Sequence, residues 1–88
     1  MVTKSILEEA EEIINGPRRD DYGDVHESFQ RIADLWTTTL SHTVTPEQVA
    51  LCMIQLKIAR AINGMARDSI VDIAGYAGCL GRLLGFDT

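Results

Sequence analysis

The chain is short of several things at once. It has two cysteines in 88 residues, Cys52 and Cys79, far too few for a disulfide scaffold. Each lies in an apolar run, where a reduced thiol behaves as a small hydrophobe. Two prolines and seven glycines exclude a collagen-like repeat. No stretch approaches the ~18 apolar residues of a membrane span. The opening MVTKSILEEAEE turns acidic too early for the apolar region of a signal peptide. A cytoplasmic protein with no membrane partner is therefore expected.

Basic charge is scarce as well: eight Lys and Arg stand against thirteen Asp and Glu, a net charge of −5. Residues 1–44 carry four basic and nine acidic groups, whereas residues 45–88 carry four of each. With no basic stripe to neutralise phosphates, duplex DNA or RNA is excluded as a partner. A pocket for a single nucleotide is not. His26 and His42 have no cysteine or histidine at metal-ligand spacing, so no zinc site is expected.

Strand signals are missing too, with no sustained alternation, hairpin turn or long β-branched run. What remains is helical. At 9.7 kDa the chain is one domain, residues 1–88. A folded monomer of that mass exposes roughly 5,100 Å² against roughly 14,000 Å² unfolded, so the core is thin and self-association is expected.

Four helices can be placed. The first covers residues 5–15, capped by Thr3 or Ser5 and stopped by Gly16-Pro17. Its Ile6, Leu7, Ala10, Ile13 and Ile14 share one arc, with Glu8, Glu9, Glu11 and Glu12 on the other side. The second covers residues 25–40, with Phe29, Ile32, Ala33, Trp36 and Leu40 as its buried stripe. Thr45, Pro46 and Gln48 open the third with a capping box, and Gly64 stops it. This helix is apolar almost all round, which places it in the middle of something larger. The fourth is expected to start with Asp68 as its cap and to run to Leu84, stopping at Gly85. Gly75, Gly78 and Gly81 each cost about 1 kcal/mol there against alanine. Close helix approach along Ala74, Gly78 and Gly81 would offset that. The expected fold is all-α, a four-helix chain whose third and fourth helices form a long hairpin, packed into an oligomeric helical bundle.

Three constellations could carry chemistry. Lys57 and Arg60 lie one turn apart on the least polar helix, and Asp68, Asp72 and Tyr76 follow at one-turn spacing on the next. Their convergence across the hairpin gives either an internal ion-pair network that fixes register or a polar pocket. In a pocket the cations would take a phosphate and the carboxylates sugar hydroxyls or Mg²⁺. Second, Glu8, Glu9, Glu11 and Glu12 form either a solvated face or, at spacings where carboxylates share a divalent ion, a metal site. Glu9 and Glu11 flank the apolar arc and are the candidates for a metal held between subunits. Third, Arg18, Arg19 and Tyr22 combine phosphate contacts with a stacking face, beside His26. No Walker loop, Gly-x-Ser-x-Gly or dinucleotide fingerprint is present.

One set of segments has a family resemblance: Glu8 to Glu12 (EEAEE), Asp21-Tyr22-Gly23-Asp24, FQRIADLW at residues 29–36, Lys57-Ile58-Ala59-Arg60, and residues 68–77 from Asp68-Ser69 to Ala77. Together they resemble a family of short phage and prophage proteins of unknown function. That family is distantly similar to the nucleotide modification associated domains and, more loosely, to the MazG-like all-α nucleotide pyrophosphohydrolases. Those enzymes hold Mg²⁺ with a Glu-x-x-Glu pair and a later Glu-x-x-Asp pair, and they assemble as dimers or tetramers. Glu8/Glu11 and Glu9/Glu12 match the first pair. Asp68 and Asp72, three residues apart in place of two, depart from the second.

The resemblance implies a phage setting, in the host cytoplasm, with nucleotides favoured as ligands. Two functions follow as expectations. One is a homo-oligomer that binds a nucleotide or nucleotide-derived ligand, with or without hydrolysis. It would use Lys57, Arg60, Asp68, Asp72, Tyr76, Tyr22, Arg18 and Arg19, and Glu9, Glu12 and Asp72 for Mg²⁺. The other is a non-enzymatic interaction protein that engages a host or phage protein and keeps its ion pairs internal.

Overall fold

A computed structural model describes residues 4–16 and 24–87. Among them are four helices and no strand: α1 Ile6–Asn15, α2 Val25–Leu40, α3 Pro46–Asn63 and α4 Arg67–Leu83. The chain is all-α, as its sequence pattern predicts.

Short-range chemistry sets most helix ends. Ser5 caps α1 in a reciprocal box with Glu8: Glu8 N–H donates to Ser5 Oγ at 3.1 Å, and Ser5 N–H donates to Glu8 Oε1 at 3.2 Å. Asp24 Oδ1 accepts from Glu27 N–H at 2.9 Å to start α2. Thr45 and Gln48 form the expected box at the start of α3, with Pro46 in its first turn. Between α2 and α3, Val44 N–H donates to Thr37 Oγ1 at 2.8 Å, which holds the connection against the last turn of α2. Ser41 takes a left-handed conformation there, φ 54°.

Two ends differ from expectation. Helix α4 begins at Arg67 after an extended Ala66 with no side-chain cap, so Asp68 lies inside the first turn and does not cap it. Gly64 follows α3 in extended backbone, φ −179°, a conformation open to any residue, so its conformational freedom does not end the helix. Gly85 does act as expected. At φ +79° it lets Phe86 N–H reach Gly81 O at 2.8 Å and its own N–H reach Arg82 O at 3.1 Å, the paired bonds of a Schellman stop.

Helices α3 and α4 pack along each other, α2 lies on α3, and α1 lies on α4. Phe29, Ala33, Val49 and Ala50 form the buried centre, with Trp36, Met53, Tyr76 and Leu80 among the half-buried residues around it. Phe29 and Tyr76 meet edge-on, their ring centroids 6.3 Å apart. Val49 is the largest side chain fully out of solvent, so the core is thin, as the chain's size requires. The exposed surface of 6177 Å² exceeds by about 1,000 Å² what a monomer of this mass shows.

Helix α1 runs in the same direction as α4 and is fixed at both ends by arginines. Arg67 pairs with the Glu9 carboxylate and donates to Lys4 O at 3.0 Å. Arg82 reaches the Asn15 side chain and Ile14 O. Between these clamps Ile14 lies over Gly75 and Gly78. A Cβ on Gly78 would come 2.9 Å from Ile14 Cδ1. Close approach therefore runs through Gly75 and Gly78. Gly81 takes no part in it, because the nearest side chain to its Cβ position is that of Asp87.

Candidate functional site

The predicted convergence across α3 and α4 is partly realised. Lys57 Nζ lies 3.0 Å from Asp72 Oδ2, with side-chain exposures of 17% and 34%. Lys57 belongs to the core-facing side of α3, beside Val49, Ala50 and Ala61, which is why its head stays inside and finds a carboxylate. Arg60 does not join it. It is exposed, one turn nearer the C-terminal end of α3. Asp68 is exposed in the first turn of α4. No ion pair of either residue is found among the described residues.

A cavity of about 280 Å³ opens beside this pair. Its walls come from all four helices: Ile13 and Ile14 of α1; Val25, Ser28, Phe29 and Ile32 of α2; and Val49 and Met53 of α3. The α4 wall is Val71, Asp72, Gly75, Tyr76, Cys79 and Arg82. Asp72 and Tyr76 are thus the two predicted ligand residues that line this cavity among the described residues. Lys57 stands behind Asp72 as its counter-ion. Arg18, Arg19 and Tyr22 lie outside the described residues.

The chemistry of the cavity is largely apolar, with Ser28, Asp72, the Tyr76 hydroxyl and Arg82 as polar points on its walls. Burial pushes the Cys79 thiol above its usual pKa, while the positive charge of Arg82 pulls the other way. Cys79 is therefore a neutral wall atom at physiological pH. Such a space suits a flat, mostly apolar ring with a few polar edges.

The carboxylates proposed for Mg²⁺ do not gather. Glu9 faces Arg67, Asp72 faces Lys57, and Glu12 faces Lys4, whose pKa rises through that hydrogen bond and the attached charge. Among the described residues no group of three or more His, Cys, Asp or Glu side chains could hold a metal ion. Within one chain, Glu9, Glu12 and Asp72 thus stand apart, each against a different cation.

Sequence reasoning missed Arg67, Arg82 and Ser28. Arg82 was reachable, since it continues the Asp72, Gly75 or Tyr76, Cys79 spacing by one further step of three. Arg67 and Ser28 carry no such signal. Their roles depend on where α1 and α2 lie.

Comparison with known proteins adds the setting. A family model described as "Domain of unknown function (DUF6378)" matches residues 5–84. The Gene 55 protein of Mycobacterium phage L5 is 56% identical over 81 residues, covering 90% of this chain and 52% of the relative. The Gene 55 protein of Mycobacterium phage D29 is 45% identical over 83 residues, covering 93% and 55%. The chain thus spans about half the length of these curated relatives. No solved structure matches it. No helix among the described residues is long and apolar enough to cross a membrane.

Proposed function

Because the chain belongs to the DUF6378 family, which includes these mycobacteriophage proteins, we propose that it is a phage ligand-binding module for a nucleotide or nucleotide-derived molecule. The observation that carries this reading is the four-helix cavity with Asp72 and Tyr76 in its wall. Its volume lies at the small end of ligand pockets, which suits a single nucleobase or nucleoside more than a dinucleotide. Apolar walls around Phe29 and Tyr76 favour the ring. Ser28 and Asp72 can hydrogen-bond its edge, and Arg82, which also holds Ile14 O and the Asn15 side chain, is the cation on the described wall. The choice of a nucleotide over other flat rings rests on the family resemblance of the motifs. Binding is favoured over MazG-like hydrolysis because Glu9, Glu12 and Asp72 each face a cation.

A thermal-shift panel of nucleosides, nucleotides and cyclic nucleotides tests the reading. A ligand at one hundred times its Kd stabilises by about 2.7 kcal/mol, which raises Tm by roughly 10 °C or more in a domain of this size. Tyr76→Ala and Asp72→Asn should abolish that rise. If no member of the panel moves Tm, the reading fails. A second reading, a non-enzymatic protein that engages a host or phage protein, is favoured by the Lys57–Asp72 pair, which is satisfied within the chain.

A further inference from the structure

Building on the nucleotide reading above, we infer that Asp72 decides which base the cavity accepts. The base it selects carries a ring N–H and an amino group side by side, the edge of guanine.

Ser28, Asp72, Tyr76 and Arg82 are the polar points of the cavity wall. They differ in what they offer an occupant. Arg82 already gives N–H groups to Ile14 O and to the Asn15 side chain. The hydroxyls of Ser28 and Tyr76 can donate or accept, so they suit any edge and choose none. Asp72 is different. Its Oδ2 lies 3.0 Å from Lys57 Nζ, and Lys57 is not part of the wall. No hydrogen bond or ion pair of Asp72 Oδ1 is found among the described residues, which leaves that oxygen for an occupant. A carboxylate held against an ammonium has no proton to give and accepts only. Opposite it, a carbonyl oxygen or a bare ring nitrogen would set lone pair against negative charge.

The bases differ at this point. Guanine carries N1–H and the C2 amino group as neighbours, two donors that one carboxylate takes together. Hypoxanthine keeps only the N1–H. Adenine and cytosine set an amino group beside a bare ring nitrogen, and uracil and xanthine flank the N–H with carbonyl oxygens. A polar site discriminates through the groups it would leave unpaired. Asp72 has 34% of its side chain in water, which softens that selection to about tenfold for one lost donor.

Titration calorimetry of the 88-residue chain with guanosine, inosine, xanthosine, adenosine and uridine, and with their 5′-monophosphates, tests the assignment. Within each set the guanine compound should bind tightest, hypoxanthine about tenfold weaker and the other three weaker again. Asp72→Asn should weaken guanosine about a hundredfold, because its amide N–H then faces the amino group. The same N–H donates to the C2 carbonyl of xanthosine, whose affinity should rise. Circular dichroism should show that variant folded; if it is not, the guanosine-to-inosine ratio of the unaltered chain decides. Another base bound as tightly as guanine overturns the assignment and leaves the nucleotide reading standing. So does an unchanged order of affinities in folded Asp72→Asn. Silence from every compound removes both.

Discussion

Helix α3 has two faces whose chemistry is the reverse of the usual one. The core-facing side holds a lysine, and the solvent-facing side holds Leu51, Ile58 and Ile62. On an ordinary surface helix the charges lie outside and the apolar stripe inside. Here both sides are largely apolar, and a charged residue stands on the inner one. Inside, Lys57 is tolerated because Asp72 of α4 meets it. Outside, no residue of the chain's core covers the apolar row. The contrast teaches that helix α3 is a central element in a chain too small to surround it.

The largest effect should come from breaking the inner face. Val49→Asp places a carboxylate where no solvent reaches; the cost, at least about 3 kcal/mol, should leave the chain largely unfolded by circular dichroism at 25 °C. Lys57→Met should cost less, about 1–2 kcal/mol in urea unfolding. It leaves Asp72 without its cation, but Asp72 keeps 34% of its side chain in water, which discounts the penalty of a fully buried charge. Adding Asp72→Asn should recover most of that loss, because the stranded charge is then gone.

A smaller effect, of opposite sign, sharpens the comparison on α4. A Cβ at Gly75 would meet only Ile14 Cγ2, at an ordinary 3.9 Å. Gly75→Ala should therefore raise stability by about 0.5–1 kcal/mol through helix propensity, read as a higher urea midpoint. The smallest effect is kinetic. Cys52 is exposed, whereas Cys79 is half-buried with its thiol held above the usual pKa. Cys52 should be alkylated first, as mass spectrometry of partially modified chains would show. The same burial makes Cys79 a source of alkaline sensitivity. The unfolded thiol loses its proton first, so stability falls as pH rises from the unfolded pKa towards the higher folded one.

The sequence made much of the fold legible. Ser5 with Glu8, Thr45 with Gln48, and Gly85 act through neighbours only a few residues away, so their roles can be read locally. Asp68 misled because this good capping residue stands two positions after Ala66, where the helix is already under way. Arg67 before it already belongs to the helix and is engaged by Glu9, 58 residues earlier in the chain. At the site, the one-turn spacings were enough to bring Lys57 to Asp72. They were not enough to place Arg60, which is exposed near the C-terminal end of α3. The cavity was beyond reach because it exists only once all four helices stand in their final positions.

Helix α1 packs extensively on one neighbour alone, α4, while the Phe29, Ala33, Val49 and Ala50 cluster is built from α2 and α3. Undocking it therefore leaves that cluster intact, and α1 is expected to open before α3. In hydrogen exchange its amides should trade deuterium well before those of α3. Since Ile13 and Ile14 are one wall of the cavity, each such excursion removes that wall and leaves the lining supplied by α2, α3 and α4 facing water.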